Sequence, residues 1–257
     1  MSSRVPARRD EGPAVPFPPE RVWYLEFLSY NSHVLSDLHR QFQEAPLYAI
    51  LDTALRPALD PPEILEALLR GGVRVVQYRH KAAFRRANFD ACCAMAQRVH
   101  QAGGAFIVND RPDVAVLCGA DGVHLGQDDL PPEKARAFFD AAGSAAGAAR
   151  LIGYSTHNRA QAAEAACSTA DYVAVGPIFP TSTKRHPDPV VGTAFVTETR
   201  SLTAKPLVAI GGITLENAAS VIKAGADAVA VISDLMLTDD IASRARQFLA
   251  VLKAARG

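Results

Sequence analysis

Cations and an amide alternate along one short stretch of the chain, Gln77-Tyr78-Arg79-His80-Lys81. Alternate side chains of a strand point to the same face, so Gln77, Arg79 and Lys81 would lie over one spot. Lys184 adds a further cation from a stretch rich in threonine and serine. A group of this kind suits a multiply charged anion such as diphosphate. Taken singly, each lysine is more typical of a solvated surface charge.

Two aspartates, Asp110 and Asp129, follow successive apolar runs. Two carboxylates beside an anion site would repel the ligand. A bridging Mg²⁺ removes that conflict, because carboxylate and phosphate oxygens share this ion readily. The pair therefore predicts one Mg²⁺ per site. Two alternatives stay open: both aspartates cap helices, or Asp128 takes the place of Asp129.

A glycine pair, Gly211-Gly212, stands before a helix start at Thr214. Glycine lets backbone N–H groups approach an oxyanion, and the following helix points its positive end at that anion. The pair alone is equally typical of a turn that leads into a helix. Ser233 follows the next apolar run and would supply the second half of such a site. Together they predict a phosphate-binding site.

The histidines are weaker candidates. His124 lies within an apolar run and is typical of a core histidine, whereas His157 fits either a helix start or proton transfer. His80 would point away from Arg79 and Lys81. No Ser-His-Asp or Cys-His arrangement stands out in the sequence.

A regular alternation of short apolar runs and helical stretches begins at Leu47 and would position these residues. Several helical stretches begin at Pro-Pro-Glu or end in glycine. Eight such units in about 210 residues predict an α/β fold, a single (β/α)8 TIM barrel. The alternative is a doubly wound open sheet, which usually has fewer strands and a Gly-rich turn after the first. The predicted strands are Leu47–Leu51, Val73–Tyr78, Ala105–Val108, Gly122–Leu125, Leu151–Tyr154, Tyr172–Val175, Leu207–Ile210 and Ala228–Ile232.

In a parallel barrel the loops after the strands meet on one face, and sites are built there. Every candidate named above falls at the end of a predicted strand or in the loop after it, apart from His124. We therefore expect one site at the carboxyl ends of the strands.

The first 45 residues differ from the rest. Residues 1–20 hold five prolines and are predicted to be disordered, and residues 20–44 have the apolar spacing of one amphipathic helix. We expect an N-terminal extension, residues 1–45, and a catalytic barrel, residues 46–257. The helix would cover part of the barrel or another subunit, or it would be an accessory segment with no catalytic role. We favour the accessory role.

Composition excludes several classes of protein. Lys and Arg together number 27, as do Asp and Glu, and the zero net charge argues against a general nucleic-acid binder. No stretch approaches the roughly 18 apolar residues of a membrane span, and no apolar core of a secretory signal follows the first arginines. Four cysteines without a C-x-x-C favour a reduced, cytoplasmic protein. The expected partners are small molecules, and a homo-oligomer is compatible with the sequence.

Seven ordered motifs between about Leu47 and Ala250 resemble the thiamine phosphate synthase family. The resemblance implies a transferase that joins hydroxymethylpyrimidine diphosphate to a thiazole phosphate, giving thiamine phosphate and diphosphate. Its reaction is dissociative, so no nucleophilic side chain is needed. The motifs are Val76-Gln77-Tyr78-Arg79-His80-Lys81, Val108-Asn109-Asp110-Arg111, residues 121–129, Gly153-Tyr154-Ser155-Thr156-His157, residues 176–184, Ala209-Ile210-Gly211-Gly212-Ile213 and Val231-Ile232-Ser233.

The resemblance also implies a role for individual residues. Asp110 and Asp129 would bind Mg²⁺, and the catalytic group would be Arg79, Lys81, Ser155 and Lys184. The residues that would bind the pyrimidine diphosphate are Gln77, Tyr78, Arg79, His80, Lys81, Asn109, Ser155 and Lys184. The residues that would bind the thiazole phosphate are Thr181, Ser182, Thr183, Gly212, Ile232 and Ser233.

Departures from the family pattern are few. His80 stands where the family often has an acid, a Gly/Ala-rich insert lies near residues 141–149, and residues 185–189 are less typical. One alternative is the related thiazole tautomerase, which lacks the metal and diphosphate residues and uses a histidine at the position of His157. The presence of Asn109, Asp110, Asp129 and Lys184 argues against it. The other alternative is a non-catalytic phosphate-binding barrel.

Overall fold

A closed barrel of eight parallel strands, hydrogen-bonded in chain order, is the centre of the computed structural model, which describes residues 38–142, 150–181 and 188–257. The predicted TIM barrel is confirmed, and the open-sheet alternative is wrong. The strands are β1 (Leu47–Asp52), β2 (Val75–Arg79), β3 (Ala105–Asn109), β4 (Gly122–Leu125), β5 (Leu151–Thr156), β6 (Tyr172–Val175), β7 (Leu207–Ile210) and β8 (Ala228–Val231). The helices are α1 (residues 38–44), α2 (Pro61–Arg70), α3 (Arg86–Gln101), α4 (Pro112–Leu117), α5 (Pro132–Ala141), α6 (Arg159–Cys167), α7 (Gly192–Leu202), α8 (Ala218–Lys223), α9 (Ser233–Met236) and α10 (Ile241–Arg256).

Strand ends are where the structure departs from the predicted bounds. β4, β6 and β7 have the predicted limits, whereas β1, β2, β3 and β5 continue by one or two residues into polar positions. β2 begins two residues later than predicted, at Val75, and β8 ends one residue earlier, at Val231. The ladder extends because polar residues at the carboxyl ends still pair, as Asp52 does with Arg79 and Thr156 with Val175. Polar strand ends therefore belong to the rigid barrel, which suits them to hold a site. The Gly/Ala-rich insert and most of the predicted helix 20–44 lie outside the described residues.

Side chains alternate between the barrel interior and the layer under the helices. In β1, Tyr48 and Ile50 belong to the interior cluster, and Leu47 and Leu51 belong to the outer core. The same alternation buries Tyr78 of β2 in the outer core. Residues on either side of it in the sequence therefore face the barrel axis.

The amino-terminal end of the barrel is covered by α1. Leu38 and Phe42 are 1% and 0% exposed and pack into the interior cluster with residues that begin strands, such as Val75. Arg256, at the end of α10, donates hydrogen bonds to the carbonyls of Phe42 (2.7 Å) and Gln43 (3.0 Å). The opposite, carboxyl-terminal end carries the cavity. No helix within the described ranges is long and apolar enough to cross a membrane.

Candidate active site

A cavity opens inside the carboxyl-terminal half of the barrel and reaches inward to Tyr48. Every strand contributes to it directly or through the loop that follows. Polar groups come mainly from β2 to β5, and β6 to β8 contribute mainly apolar and glycine positions. The lining residues are Tyr48, Ile50, Gln77, Arg79, Asn109, His124, Ser155, His157, Ala174, Gly176, Pro177, Thr181, Asp188, Val208, Ile210, Gly211, Ala230 and Ile232.

Arg79 is held in place by a buried carboxylate. It forms an ion pair with Asp52, which is 2% exposed, and the Asp52 Oδ1 also accepts a hydrogen bond from the Ala54 amide at 3.0 Å. Arginine has five N–H donors, and the pair with Asp52 uses Nη1. The guanidinium therefore keeps its orientation and still has donors available for an anion in the cavity.

Lys81, Asp110 and Asp129 form a charged cluster beside Asn109. Lys81 forms an ion pair with Asp110, and the Asp129 Oδ2 accepts a hydrogen bond from the Gly126 amide at 2.7 Å. Burial raises the pKa of the Asp129 carboxyl, and the Asp110 carboxylate raises that pKa further, against the opposing effects of the Gly126 amide and Lys81. A cation between two neighbouring carboxylates offsets their repulsion.

The donor set fits Mg²⁺. Among the described residues, no three carboxylate, histidine or cysteine side chains converge on one point, so a protein-only cage is absent from that part of the chain. Mg²⁺ commonly takes one or two carboxylates and completes its shell with water and substrate phosphate. Asp110 has a φ of +64° and is the only non-glycine residue with a positive φ in the described part of the chain. Strained backbone positions of this kind cluster at functional sites. Asp129 lies beside Asp110, whereas Asp128 is exposed.

The loops after β7 and β8 are connected by a hydrogen bond. The Asp234 Oδ2 accepts a hydrogen bond from the Leu215 amide at 2.8 Å, and Arg244 of α10 binds Asp234 with two nitrogens at 2.8 and 2.9 Å. Gly212 has φ of +62°, and a Cβ there would lie 2.3 Å from the Pro180 carbonyl oxygen. No backbone carbonyl in the described ranges accepts a hydrogen bond from the Gly212 amide, which suits it to bind an oxyanion.

Two polar side chains aim into the cavity from β3 and β5. The Asn109 Nδ2 is buried and has no hydrogen-bond partner within the described chain. Such an atom is costly unless a ligand satisfies it. Ser155 Oγ lies 2.8 Å from His124 Nε2, and Gln127 Nε2 donates to the Ser155 carbonyl at 2.6 Å. Both side chains therefore border the cavity.

His157 is consistent with both of its predicted roles. Its backbone amide donates to Gln161 Oε1 at 2.7 Å at the start of α6, and its ring lines the cavity. The ring Nδ1 donates to the Gly176 carbonyl (2.6 Å), and Nε2 lies 3.5 Å from Asp188 Oδ2.

The structure does not bring every predicted residue to the cavity. Tyr78 lies in the outer core, and His80 stacks on its ring and contacts Thr53 Oγ1 at 2.8 Å. Ser233 lines a neighbouring groove beside α10. Gln77, Asn109, Ser155, Thr181 and Ile232 line the cavity with Arg79. Ser182, Thr183 and Lys184 lie outside the described residues.

Residues missed by the sequence reasoning share one property: their role depends on a neighbouring strand. Asp52 orients Arg79, Gln127 binds the Ser155 carbonyl, and two tyrosines, Tyr48 and Tyr172, join hydroxyls inside the barrel at 2.9 Å. The alternation of Tyr48 and Asp52 along β1 was a signal for an inward polar face.

Comparison with known proteins agrees with this geometry. Residues 47–235 match the family model described as thiamine monophosphate synthase. The thiamine-phosphate synthase of Koribacter versatilis is 44% identical over 210 residues, 80% of this chain and 95% of that protein. That of Chloroflexus aurantiacus is 40% identical over 206 residues, 80% of this chain and 92% of that protein.

Among solved structures, thiamine phosphate pyrophosphorylase from Pyrococcus furiosus superposes with a TM-score of 0.73 at 32% identity. The match covers 84% of this chain and 99% of that one. The family match runs from the start of β1 past the end of β8, so it contains every described residue that lines the cavity. The chain belongs to the thiamine phosphate synthase family.

Proposed function

We propose that this protein transfers the pyrimidine of 4-amino-2-methyl-5-(diphosphooxymethyl)pyrimidine to the nitrogen of 4-methyl-5-(2-phosphooxyethyl)thiazole. The products are thiamine phosphate and diphosphate. The observation that carries the proposal is one cavity whose lining includes Arg79 and Asn109 from β2 and β3 and Gly211 from the turn after β7. Lys81, Asp110 and Asp129 form a charged group next to Asn109 in the chain, and Gly212 follows Gly211 in its turn.

The pyrimidine diphosphate is assigned to the β2–β5 side. Gln77, Arg79, Asn109 and Ser155 line the cavity there, and Lys81 lies next to the carboxylate pair. The unpartnered Asn109 amide nitrogen supports this assignment, because a substrate acceptor would satisfy it. Lys184 is proposed as a further diphosphate contact. Tyr78 and His80 would not contact the substrate and would instead help to hold β2, and with it Arg79, in position.

The thiazole phosphate is assigned to the loops after β6, β7 and β8. The Gly212 amide, the Ile232 region and Ser233 would surround the phosphate, with Thr181, Ser182 and Thr183 contributing from the β6 loop. The fixed contact between Asp234 and Arg244 supports the assignment, because it holds the β7 and β8 loops in one arrangement before ligand binds.

The chemistry follows from the charges. The bond between the pyrimidine methylene carbon and the diphosphate oxygen breaks, and both electrons leave with the diphosphate. The thiazole nitrogen then donates its lone pair to the resulting pyrimidine-methyl cation and forms the new C–N bond. Arg79 and Lys81 stabilise the charge that develops on the leaving diphosphate, and the cavity holds the two rings in line. No proton transfer is required for this exchange of bonds.

Asp110 and Asp129 are proposed to hold one Mg²⁺ in this site. When bound, Mg²⁺ would neutralise diphosphate charge and so improve the leaving group. The contact between the two carboxylates supports this assignment, because the Asp110 carboxylate raises the pKa of Asp129 and a divalent cation between them would offset that repulsion. We also place the activity in the cytoplasm, since all four cysteines are free thiols.

We propose that residues 1–45 form an extension outside the catalytic barrel of residues 46–257. Support comes from α1, which packs through Leu38 and Phe42 on the end of the barrel opposite the cavity. Removing residues 1–37 should leave kcat and both KM values unchanged. A lowered kcat in the truncated protein, with the barrel still folded, would contradict this proposal.

The decisive test is turnover with both substrates and Mg²⁺, followed by omission of each component in turn. Thiamine phosphate should form only when both substrates and Mg²⁺ are present. Arg79→Ala should lower kcat/KM by about 100-fold. Arg86→Ala is the matched control, because Arg86 is 94% exposed and should behave as wild type. A folded protein that gives no product under these conditions would contradict the synthase function. Isomerisation of the thiazole phosphate alone would instead favour the tautomerase.

A further inference from the structure

A continuous series of hydrogen bonds crosses the barrel interior at the inner end of the cavity. Gln77 Nε2 lies 2.9 Å from the Tyr48 hydroxyl, which lies 2.9 Å from the Tyr172 hydroxyl. The Tyr172 hydroxyl lies 3.0 Å from His124 Nδ1, and His124 Nε2 lies 2.8 Å from Ser155 Oγ. The series therefore links β2, β1, β6, β4 and β5 and ends at a proposed substrate contact.

The direction of donation along this series follows from counting hydrogens. An amide nitrogen can only donate, so the Tyr48 oxygen accepts from Gln77. Tyr48 must then give its single hydrogen to Tyr172, and Tyr172 must give its own to His124 Nδ1. In the reverse arrangement the Tyr48 hydrogen would be buried without an acceptor, which buried groups avoid. His124 then carries its hydrogen on Nε2 and donates it to Ser155.

Burial keeps the two tyrosines in this role. Tyr48 and Tyr172 are 1% and 0% exposed, and burial raises the pKa of both hydroxyls far above the ordinary value for tyrosine. Each therefore retains its hydrogen at any working pH. A second feature makes room for the series: a Cβ on Gly153 would lie 2.3 Å from the Tyr172 hydroxyl and 2.5 Å from His124 Nδ1. Glycine is needed at this point of β5.

We propose that Tyr172 and Tyr48 are positioning residues for the transfer reaction, acting through His124 on Ser155. They hold His124 with its hydrogen on Nε2, so the Ser155 oxygen accepts from the imidazole. The Ser155 hydrogen is then directed into the cavity as a donor to the pyrimidine substrate. This inference rests on the proposed function, which makes Ser155 a substrate contact.

The donation pattern is tested first without any turnover. In ¹⁵N NMR of histidine-labelled protein, His124 should show an unprotonated Nδ1 that accepts a hydrogen bond and a protonated Nε2. The signal is assigned by its loss in His124→Gln. Tyr172→Phe should shift the Nδ1 resonance toward that of a free imine nitrogen. A protonated Nδ1 in the wild-type protein overturns the inference. This result stands whether or not the synthase function holds.

The catalytic consequence is tested by a double-mutant cycle. Tyr172→Phe should lower kcat/KM by about tenfold, as expected for one lost hydrogen bond, and Tyr48→Phe by about threefold, because Tyr172 can still donate to His124. In a Ser155→Ala background Tyr172→Phe should have no further effect, because both changes act on one contact. Effects that multiply would mean a merely structural tyrosine and would overturn the inference.

Thr199→Val is the matched control for loss of a buried hydroxyl. Thr199 is 0% exposed on α7, and its Oγ1 has no partner within the described residues. This variant should keep wild-type kcat/KM in both backgrounds. If Tyr172→Phe fails to fold, Tyr48→Phe carries the same cycle with the smaller factor.

Discussion

Aspartates occupy both ends of the barrel, and their surroundings differ in kind. At the amino-terminal end, Asp121, Asp171 and Asp227 stand directly before β4, β6 and β8. Each carboxylate accepts a hydrogen bond at 2.7 Å from a backbone amide of the preceding strand, and the three donors are Phe106, Ile152 and Leu207. These aspartates tie neighbouring strands together.

Each of the three also has a basic partner. Arg136 lies 2.5 Å from Asp171, Arg200 lies 2.9 Å from Asp227, and His100 lies 2.8 Å from Asp121. The carboxylates at this end are therefore satisfied within the barrel itself. Partly buried carboxylates that have both an amide donor and a basic partner contribute to stability.

Asp110 and Asp129, at the carboxyl-terminal end, are arranged in the opposite way. They lie close to each other, and within the described part of the chain the ion pair of Lys81 is with Asp110. This end carries a like-charge contact that folding by itself does not need. The difference supports the proposal that the carboxyl-terminal pair binds a cation, whereas the amino-terminal aspartates hold neighbouring strands together.

The largest effect should come from Asp110→Ala. Loss of one of the two proposed metal ligands should lower kcat by about 1,000-fold, because stabilisation of the leaving diphosphate is lost. The free energy of unfolding should fall by about 1 kcal/mol, because alanine is less favourable than aspartate at the positive φ of residue 110. Steady-state kinetics and urea unfolding measure the two quantities.

Asp128→Ala is the matched control for this change, since Asp128 is an exposed aspartate next to Asp129. It should keep kcat within about twofold of wild type. Wild-type turnover in Asp110→Ala would refute the metal assignment. An equal loss in Asp128→Ala would mean that the exposed aspartate also takes part.

Asp171→Ala should have an intermediate effect, and that effect should be on stability rather than on turnover. This change removes the carboxylate partner of Arg136, which still donates to the Arg150 carbonyl at 2.8 Å. It also leaves the Ile152 amide without its acceptor, and the free energy of unfolding should fall by about 2 kcal/mol. The folded protein should keep its kcat, because Asp171 lies at the end of the barrel away from the cavity. Asp140→Ala removes an exposed aspartate from α5 and should leave stability within about 0.5 kcal/mol. If Asp171→Ala lowers kcat at urea concentrations where the protein is still folded, the two ends of the barrel do not have separate roles.

The carboxyl-end residues were predictable because strand alternation is a local signal. Gln77 and Arg79 were expected on one face, and the structure places both on the cavity. Local patterns do not reach across the sheet, however. Asp52 binds Arg79 because β1 and β2 pair in a register that puts these two residues side by side, and nothing within either strand indicates that pairing. The position of Ser233 depends in the same way on how α10 packs.

The amino-end aspartates carried a sequence signal that the prediction did not use. An Ala-Asp dipeptide precedes three of the strands, as Ala120-Asp121, Ala170-Asp171 and Ala226-Asp227. A repeat at the same point of alternate βα units predicts a shared structural role. The cation partners of these residues come from different helices and could not be read from the repeat.

The smallest effect concerns the weakest pair at the amino-terminal end, His100 and Asp121. The hydrogen bond to Asp121 raises the pKa of His100 above its ordinary value of 6.5. The pair therefore stabilises the fold fully below that pH, and the stabilisation is lost as the pH rises through the raised pKa. His100→Gln should be less stable than wild type by about 0.5 kcal/mol at pH of about 5.5, because both side chains are partly exposed.

The two proteins should then converge in stability as the pH approaches about 8.5, where the histidine is neutral. Urea unfolding at a series of pH values measures the difference. Arg98→Gln, on the same helix, removes a cation that does not titrate in this range, so its difference from wild type should not depend on pH in that way. A His100→Gln difference that persists undiminished to high pH would show that the neutral imidazole stabilises the fold as much as the charged one. The contact between His100 and Asp121 would then act as a neutral hydrogen bond rather than as an ion pair.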